Sequence, residues 1–217
     1  LFKKPFFHFL YDRLNQLSFD LVIAAPNTSS NINLAKYLIE NKLNYFLGSE
    51  ENVFIRFLEV IKLKSPDIVV RVNSDCPFLS PENIESVVKQ FIELEADYLS
   101  TTLDNSFPLG EHIEVISTEA FFRASKNKID SLTKEHVTPI FYKSNEFNSL
   151  PYSPSEKLDY PSGLRLCIDY EKDYIFFQEI EKLISSETFT YEDLINICNS
   201  NPKLLLINSH FHKSRTV

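Results

Sequence analysis

The segment 67–72 constrains the fold of this chain most strongly. Its sequence, Asp-Ile-Val-Val-Arg-Val, is rich in β-branched residues, and its apolar residues do not alternate with polar ones. Such a run is typical of a strand that is covered on both faces of a sheet. A polar loop ending at Pro77 comes next, and Ser80 and Pro81 then have the order of a helix cap and a first helical residue. We therefore expect a buried strand, a loop and a helix.

Strand and helix patterns alternate along the rest of the chain. Continuous apolar runs predict strands at 19–25, 44–47, 97–102, 113–117 and 163–168. Helical periodicity and caps predict helices at 6–17, 32–41, 49–63 (with Ser49, Glu50 and Glu51 at its N-terminus), 81–94, 118–124 (capped by Thr118), 134–142 (disturbed at Pro139), 170–183 and 191–199. This order is the pattern of an α/β layered fold with a mostly parallel sheet. The segment 148–162, rich in Pro, Ser and Tyr, is interpreted as an insertion, a lid or an oligomer arm.

The composition excludes several classes of protein. Hydrophobic residues make up 43% of the chain, which suffices for a sizeable core. No apolar run approaches the roughly 20 residues that span a bilayer. A net charge of −8 argues against a dedicated nucleic-acid binder. The three cysteines, Cys76, Cys167 and Cys198, form no CxxC pair and fit a reduced, cytoplasmic compartment.

Glycine and methionine are unusually scarce. A chain of this length would normally carry roughly fifteen glycines, and this one has three, with no Met. A natural reading frame starts with Met, whereas this sequence starts at Leu1. We therefore expect that residues are missing from the N-terminus.

Two aspartates come directly after predicted strands. Asp75 comes after the strand at 67–72, and Asp169 comes after the strand at 163–168. Ligands of open α/β sheets bind beyond the carboxyl ends of strands, and two carboxylates there suit Mg²⁺ together with substrate phosphates. Simpler roles are also open, because Asp75 could cap the turn before Pro77 and Asp169 the next helix.

The segment 107–115 carries a second set of polar groups. Gly110 indicates a positive φ or a close backbone approach, and His112 and Glu114 share one face of an extended stretch. They could bind sugar hydroxyls or a base, or they could be exposed groups of an edge strand.

Two shorter segments complete the candidates. His136 comes after Glu135 without the HExxH spacing of zinc hydrolases, and a lone His is more often structural than a ligand contact. Gly48, Ser49 and Glu50 precede a helix, where contacts to a base or sugar are more plausible than contacts to phosphate. Cys76 is a weak option as a nucleophile.

Six segments occur in a fixed order and spacing. They are FLGSEENV at 46–53, VRVNSDCP at 70–77, ADYLS at 96–100, FPLG at 107–110, EHVTP at 135–139 and RLCID at 165–169. Together they resemble the spore coat polysaccharide biosynthesis protein F family, which belongs to the cytidylyltransferases related to CMP-sialic acid and CMP-Kdo synthetases. The resemblance covers nearly the whole chain.

The resemblance implies a nucleotide-diphospho-sugar transferase-like fold, a Rossmann-type three-layer α/β/α sandwich. It also implies transfer of a nucleotidyl group from CTP, or another nucleoside triphosphate, to a sugar or sugar acid for surface polysaccharide biosynthesis, with release of pyrophosphate. Asp75 and Asp169 would hold Mg²⁺, with Arg71 as a third catalytic candidate. The substrate-binding candidates are Ser49, Glu50, Asn73, His112, Glu114, His136 and Arg165.

Two features depart from the family. The family begins with a strand and a loop rich in Gly, Ser, Arg and Lys that grips the triphosphate, and the segment 1–5 resembles the stretch directly after that loop. We therefore expect a single domain, 1–217, without this strand and loop. Leu109 stands where the family commonly has an acidic residue, which bears on sugar specificity.

Two alternative functions stay open. An A-type glycosyltransferase also uses an Asp-bound metal, but it typically carries Asp-x-Asp, whereas Asn73-Ser-Asp75 has only the second carboxylate. A non-catalytic relative is the other alternative, which a missing triphosphate loop would favour. We expect no nucleic-acid or membrane partner. The aromatic-rich stretches at 6–17 and 142–160 could bury a homodimer interface.

Overall fold

The computed structural model describes residues 1–104, 107–155, 159–184 and 186–209. Its α-helices are α1 (Phe6–Leu14), α2 (Ile32–Glu40), α3 (Val53–Lys64), α4 (Pro81–Glu93), α5 (Thr118–Ala124), α6 (Ser131–His136), α7 (Pro139–Lys143), α8 (Glu171–Glu181) and α9 (Tyr191–Ser200). Its strands are β1 (Ile23–Pro26), β2 (Tyr45–Gly48), β3 (Ile68–Arg71), β4 (Tyr98–Ser100), β5 (Glu114–Ser117) and β6 (Ser149–Pro151). Across these ranges, no helix has the length and apolar character that a membrane span requires.

The strands form two sheets. β1 and β2 pair in parallel, with Ile23 opposite Tyr45. The second sheet has the order β3-β5-β4-β6. β5 runs antiparallel to β3 and to β4, and β6 runs parallel to β4. Three of these four strands therefore point one way, and β5 makes the sheet mixed.

The four-stranded sheet lies between two helical layers. Leu99 and Val115 pack in one cluster with apolar residues of α1 and α4. Tyr98 and Ile116, their neighbours along the strands, pack in another cluster with residues of α3, α5 and α7. Successive residues of a strand point to opposite faces, so this alternation places helices on both sides of the sheet. The arrangement confirms the expected three-layer α/β fold.

Side-chain caps begin several of the helices. The hydroxyl of Ser80 accepts the N–H of Asn83 at 3.1 Å, as the sequence predicts for the start of α4. The prediction that Thr118 caps α5 is wrong by one residue. Ser117 is the cap, because its hydroxyl accepts the N–H of Ala120 at 3.0 Å. The predicted helix start at Ser49 is also wrong, because α3 begins at Val53 and Asn52 Oδ1 accepts the N–H of Ile55 at 3.0 Å.

Two strand predictions need correction. The segment 163–168 forms a single parallel bridge between Leu109 and Arg165 rather than a strand, and the N–H of Leu166 donates to the carbonyl of Leu109 at 2.6 Å. All four residues of β3 are half-buried rather than covered on both faces. In the described sheet, β3 pairs with β5 along one side, which leaves it less enclosed than β4.

The predicted helix at 134–142 divides into α6 and α7. Val137 has a φ of +69°, and Pro139 is the first residue of α7. Strand β6 lies inside the segment 148–162, so this part of the segment extends the sheet beside β4.

Candidate active site

Asp75 and Asp169 approach each other from distant parts of the chain. Asp75 lies in the loop after β3, and Asp169 lies just before α8. The N–H of Ile168 donates to the backbone carbonyl of Asp75 at 2.9 Å, which fixes the two segments side by side. A cavity of about 480 Å³ opens here, lined by Leu1, Lys4, Pro5, Phe6, Phe7, Ser74, Asp75, Ile168 and Tyr174.

Burial raises the pKa of the Asp75 carboxyl above its ordinary value, and the negative charge of Asp169 raises it further. The thiol of Cys76 donates to Asp75 Oδ1 at 3.3 Å and partly offsets this effect. Two carboxylates that repel each other beside a cavity are a suitable donor set for a hard divalent cation.

Burial also governs the two cysteines at this site. It raises the pKa of the Cys76 thiol well above its usual value and that of Cys167 to about 12. A nucleophilic cysteine needs a lowered pKa, since the thiolate is the reactive form. Both side chains are therefore neutral groups at pH 7, and Cys167 Sγ lies 3.6 Å from Asp169 Oδ2.

The side chain of Asp169 is half exposed, and a buried arginine holds it. Arg165 Nη2 pairs with Asp169 Oδ2, while Arg165 Nε donates to Asp173 Oδ1 at 2.9 Å. The side chain of Arg165 is 2% exposed and that of Asp173 is fully buried. Arg165, a substrate-binding candidate, thus contacts two carboxylates of its own chain beside the cavity.

Asp173 is a residue that the sequence patterns did not mark. Although burial alone would raise the pKa of its carboxyl, hydrogen bonds from Arg165 and from the backbone N–H of Asp169 hold that pKa below its ordinary value. The available signal was its place three residues after Tyr170, where the helix was expected to start, because an acidic side chain at that position can accept the N–H of the residue that caps the helix.

Arg71 and Glu114 form a second buried pair, between β3 and β5. Arg71 Nη1 pairs with Glu114 Oε2. Glu114 Oε1 accepts the hydroxyl of Tyr98 at 2.7 Å and that of Thr138 at 2.6 Å. The structure thus joins a catalytic candidate to a substrate-binding candidate, and both oxygens of this carboxylate are engaged inside the protein.

The turn at the end of α6 is strained. Val137 is fully buried and has φ +69° and ψ −55°, a conformation that a β-branched residue rarely adopts. The N–H of Thr138 donates across it to the carbonyl of His136 at 2.8 Å. The hydrogen bond from Thr138 to Glu114 helps to hold the turn, which leaves the side chain of His136 exposed at the end of α6.

The segment 107–115 packs against the Arg165 segment. Gly110 has a φ of +108°, and a Cβ atom there would overlap the backbone carbonyl of Leu166. This confirms the close backbone approach that the sequence predicts. His112 Nε2 accepts the N–H of Gly110 at 3.1 Å, so this nitrogen is the acceptor of the imidazole ring.

Glu111, which the sequence patterns also did not mark, is fully buried. Its carboxyl oxygens accept the N–H of Ser80 at 3.2 and 3.3 Å and the side-chain amide of Asn83 at 3.2 Å. Burial raises the pKa of Glu111 to about 8, because those hydrogen bonds and the charge of Arg13 offset only part of the desolvation. No local sequence pattern distinguishes this residue from an exposed glutamate.

The remaining candidates lie at two loops. Ser49 and Glu50 come after β2, where the hydroxyl of Ser49 accepts the N–H of Asn52 at 3.1 Å and Glu50 is exposed. The carbonyl of Asn73, in the loop after β3, accepts the N–H of Cys76 at 3.2 Å. The structure thus brings the segments of Asp75 and Asp169 together, with Arg165 paired to Asp169, whereas Ser49 and Glu50 lie on the loop between β2 and α3.

Comparison with known proteins identifies the family. The family model described as cytidylyltransferase matches residues 1–201. The chain belongs to the cytidylyltransferase family. It is 31% identical over 192 residues to the uncharacterized protein MJ1063 of Methanocaldococcus jannaschii, a match that spans 88% of this chain and 77% of the relative. It is 29% identical over 191 residues to the spore coat polysaccharide biosynthesis protein SpsF of Bacillus subtilis, spanning 84% and 76%.

Solved structures agree with this assignment at the level of fold. A cytidylyltransferase from Leptospira borgpetersenii superposes with a TM-score of 0.85 at 22% identity, covering 99% of this chain and 88% of that one. A CMP:2-keto-3-deoxy-manno-octonic acid synthetase complexed with CTP superposes with a TM-score of 0.52 at 10% identity, covering 83% and 87%. The resemblance and the fold class expected from the sequence are confirmed, and family membership supports a nucleotidyltransferase enzyme.

Proposed function

We propose that this protein transfers the cytidylyl group of CTP to a hydroxyl of a sugar or sugar acid and releases pyrophosphate. The observation that supports the proposal is the backbone hydrogen bond from Ile168 to Asp75, which joins the segments of Asp75 and Asp169 beside a cavity that Asp75 and Ile168 line. The CTP complex of the structural neighbour supports the nucleotide, and the name of SpsF supports a role in surface polysaccharide biosynthesis.

Mg²⁺ is the cofactor that we propose, with Asp75 and Asp169 as its protein ligands. Burial and the negative charge of Asp169 disfavour the ionised form of Asp75. A divalent cation between the two carboxylates would offset their repulsion. The described part of the chain contains no cluster of three or more His, Cys, Asp or Glu side chains suited to a metal. This agrees with Mg²⁺, which is usually held by one or two carboxylates together with water and substrate phosphates. The bound ion would neutralise charge on those phosphates.

The chain itself would bind and orient the substrates. The first turn of α1 lines the cavity through Pro5, Phe6 and Phe7, and helix N-termini favour anions. The triphosphate therefore fits beside this turn, with its α-phosphorus open to in-line attack by the acceptor hydroxyl. Positioning and electrostatics supply most of the catalysis in such transfers, so the protein needs no covalent intermediate.

The base and the acceptor sugar are assigned to the side of the molecule where α3 packs against β2 and α6. Ser49 and Glu50 lie at the start of this region, and His136 lies at the end of α6. His112, Asn73 and the other substrate-binding candidates stay predictions, which CTP and sugar binding to their alanine variants would test.

The decisive experiment measures pyrophosphate released from CTP with a panel of sugars and sugar acids, with Mg²⁺ or with EDTA. Release should require CTP, one class of acceptor and Mg²⁺. Replacing Asp75 by Asn should lower the rate by at least about 100-fold, the effect of removing one key electrostatic group. Asp193→Asn, at the exposed start of α9, is the matched control and should leave the rate unchanged.

Other outcomes would redirect the assignment. Full activity in Asp75→Asn would contradict the proposed site. Consumption of a nucleotide-sugar without pyrophosphate release would favour an A-type glycosyltransferase, and binding of CTP without any turnover would favour a non-catalytic relative.

We further propose a cytoplasmic location, which three free, buried cysteines support, and a homodimer, which gel filtration would test.

A further inference from the structure

Asp173 engages more donors than a helix start requires. Its Oδ1 accepts Arg165 Nε at 2.9 Å and the side-chain amide of Asn208 at 2.9 Å. Its Oδ2 accepts the backbone N–H groups of Asp169 and Tyr170, each at 3.0 Å, and Arg165 Nη2 lies 3.3 Å away. A fully buried carboxylate with five such contacts has its position fixed by them.

These contacts act on Asp169 in two ways. Asp173 holds the backbone of Asp169 through its N–H, and it holds Arg165, whose Nη2 pairs with the Asp169 carboxylate. The half-exposed side chain of Asp169 therefore receives its orientation from a fully buried residue.

We propose that Asp173 is a positioning residue that orients Asp169, through Arg165 and the Asp169 backbone, for binding a divalent cation. This inference rests on the proposed function, because it deepens the assignment of Asp169 as a cation ligand. Residues that orient the ligands of a metal typically change metal affinity by 10–100-fold when they are replaced.

The chain contains a matched control for this proposal. Asp193 occupies the same place at the start of α9, where its Oδ2 accepts the N–H of Thr190 at 2.9 Å and its own N–H donates to the Thr190 hydroxyl at 3.1 Å. Asp193 is exposed. Asp173→Asn and Asp193→Asn therefore remove the same kind of helix-start contact, but only the first also disturbs the ion pairs of Arg165 with Asp169 and Asp173.

The test measures binding of Mn²⁺ alone, by electron paramagnetic resonance of the free ion, to the full chain and its variants. We expect Asp173→Asn to bind Mn²⁺ 10–100-fold more weakly than the unmodified protein. Asp193→Asn should bind it equally well, and Asp75→Asn should lose most of the binding. Circular dichroism checks that each variant is folded.

A second variant keeps the test informative if Asp173→Asn does not fold. Arg165→Lys retains the positive charge but loses the planar fork that bridges Asp173 and Asp169, so it should weaken Mn²⁺ binding in the same direction. With Mg²⁺, both variants should raise the Mg²⁺ concentration needed for half-maximal pyrophosphate release more than they raise the KM for CTP.

Several results would overturn the inference. These are unchanged Mn²⁺ affinity in the folded Asp173 or Arg165 variant, an equal loss in Asp193→Asn, or no Mn²⁺ binding by the unmodified protein. Mn²⁺ binding that depends on Asp173, in a protein that never releases pyrophosphate from CTP, would support the positioning role and contradict the proposed function.

Discussion

Two arginine–carboxylate networks of the described structure differ in how exposed their carboxylates are. In the Arg165 network, the guanidinium joins a fully buried partner, Asp173, to a half-exposed one, Asp169. In the Arg71 network, the guanidinium pairs with Glu114, whose other oxygen accepts hydroxyls of Tyr98 and Thr138. The first network ends at the half-exposed carboxylate of Asp169, next to the cavity-lining Ile168, whereas the second ends at the buried carboxylate of Glu114.

The difference shows how similar residue pairs can serve different purposes. An arginine that neutralises one buried carboxylate can also hold a second, more exposed one, as Arg165 holds Asp169. An arginine that pairs with a carboxylate already satisfied by hydroxyls ties strands and turns together. The Arg71 network links β3, β4 and β5 to the strained turn at Val137.

Removing each arginine is the strongest test of this contrast. Arg165→Met should lower the free energy of unfolding by about 3–5 kcal/mol, because it leaves Asp173 buried without its cation. Arg71→Met should cost less, about 2 kcal/mol, since Tyr98 and Thr138 still donate to Glu114. Urea unfolding measures both values, and equal losses would contradict the distinction between the two networks.

Two glycine-to-alanine substitutions test how closely the segment around Arg165 packs against the segment 107–115. Gly110→Ala should lower the free energy of unfolding by about 3 kcal/mol, because its Cβ meets the Leu166 backbone and its φ is positive. Gly163→Ala is the matched control, since its φ is also positive but the nearest atom, Ser209 Cβ, is 3.5 Å away. That variant should cost about 1 kcal/mol. A similar cost for both would show that backbone strain, not contact with Leu166, dominates.

Glu111 shows how a buried carboxylate behaves without an arginine in hydrogen-bond contact. Its pKa is raised from 4.5 to about 8, so between these values the folded protein binds a proton that the unfolded chain releases. The stability that this proton provides is lost as the pH rises through that window, with a slope of at most about 1.4 kcal/mol per pH unit. Arg13, Glu82 and Tyr191 are the charged and titratable groups that act on it.

Glu111→Gln cannot titrate, so its stability should fall less between pH 6 and pH 8 than that of the unmodified protein. Urea unfolding at several pH values gives the two slopes. Identical slopes would mean that Glu111 stays ionised throughout this range.

Much of the fold can be predicted from local sequence. Runs of β-branched residues and capped helical periods predict most elements to within a few residues. They fail at the segment 163–168, whose apolar residues pack without a regular ladder, and they place the break in the helix at 134–142 at Pro139, whereas the turn lies at Val137. Both failures come from long-range packing that a local pattern does not contain.

The candidate site was predictable in part. Asp75 and Asp169 stand out because each comes after an apolar run, and the structure does place them together. Asp173 and Glu111 do not stand out, because their burial depends on Arg165 and on the start of α4. Polar residues that follow apolar runs can be recognised in the sequence. The partners that orient them can be recognised only once the fold is known.

The hydrogen bond between Ile168 and Asp75 also has a consequence for the order in which parts of the protein fold. It joins positions about 90 residues apart, and contacts of such separation close late because the chain between them must first lose its freedom. The earlier strands and helices can assemble before this contact exists. The proposed cation site would be complete once the last third of the chain has packed against the rest, so recovery of Mn²⁺ binding during refolding should mark the final folding step.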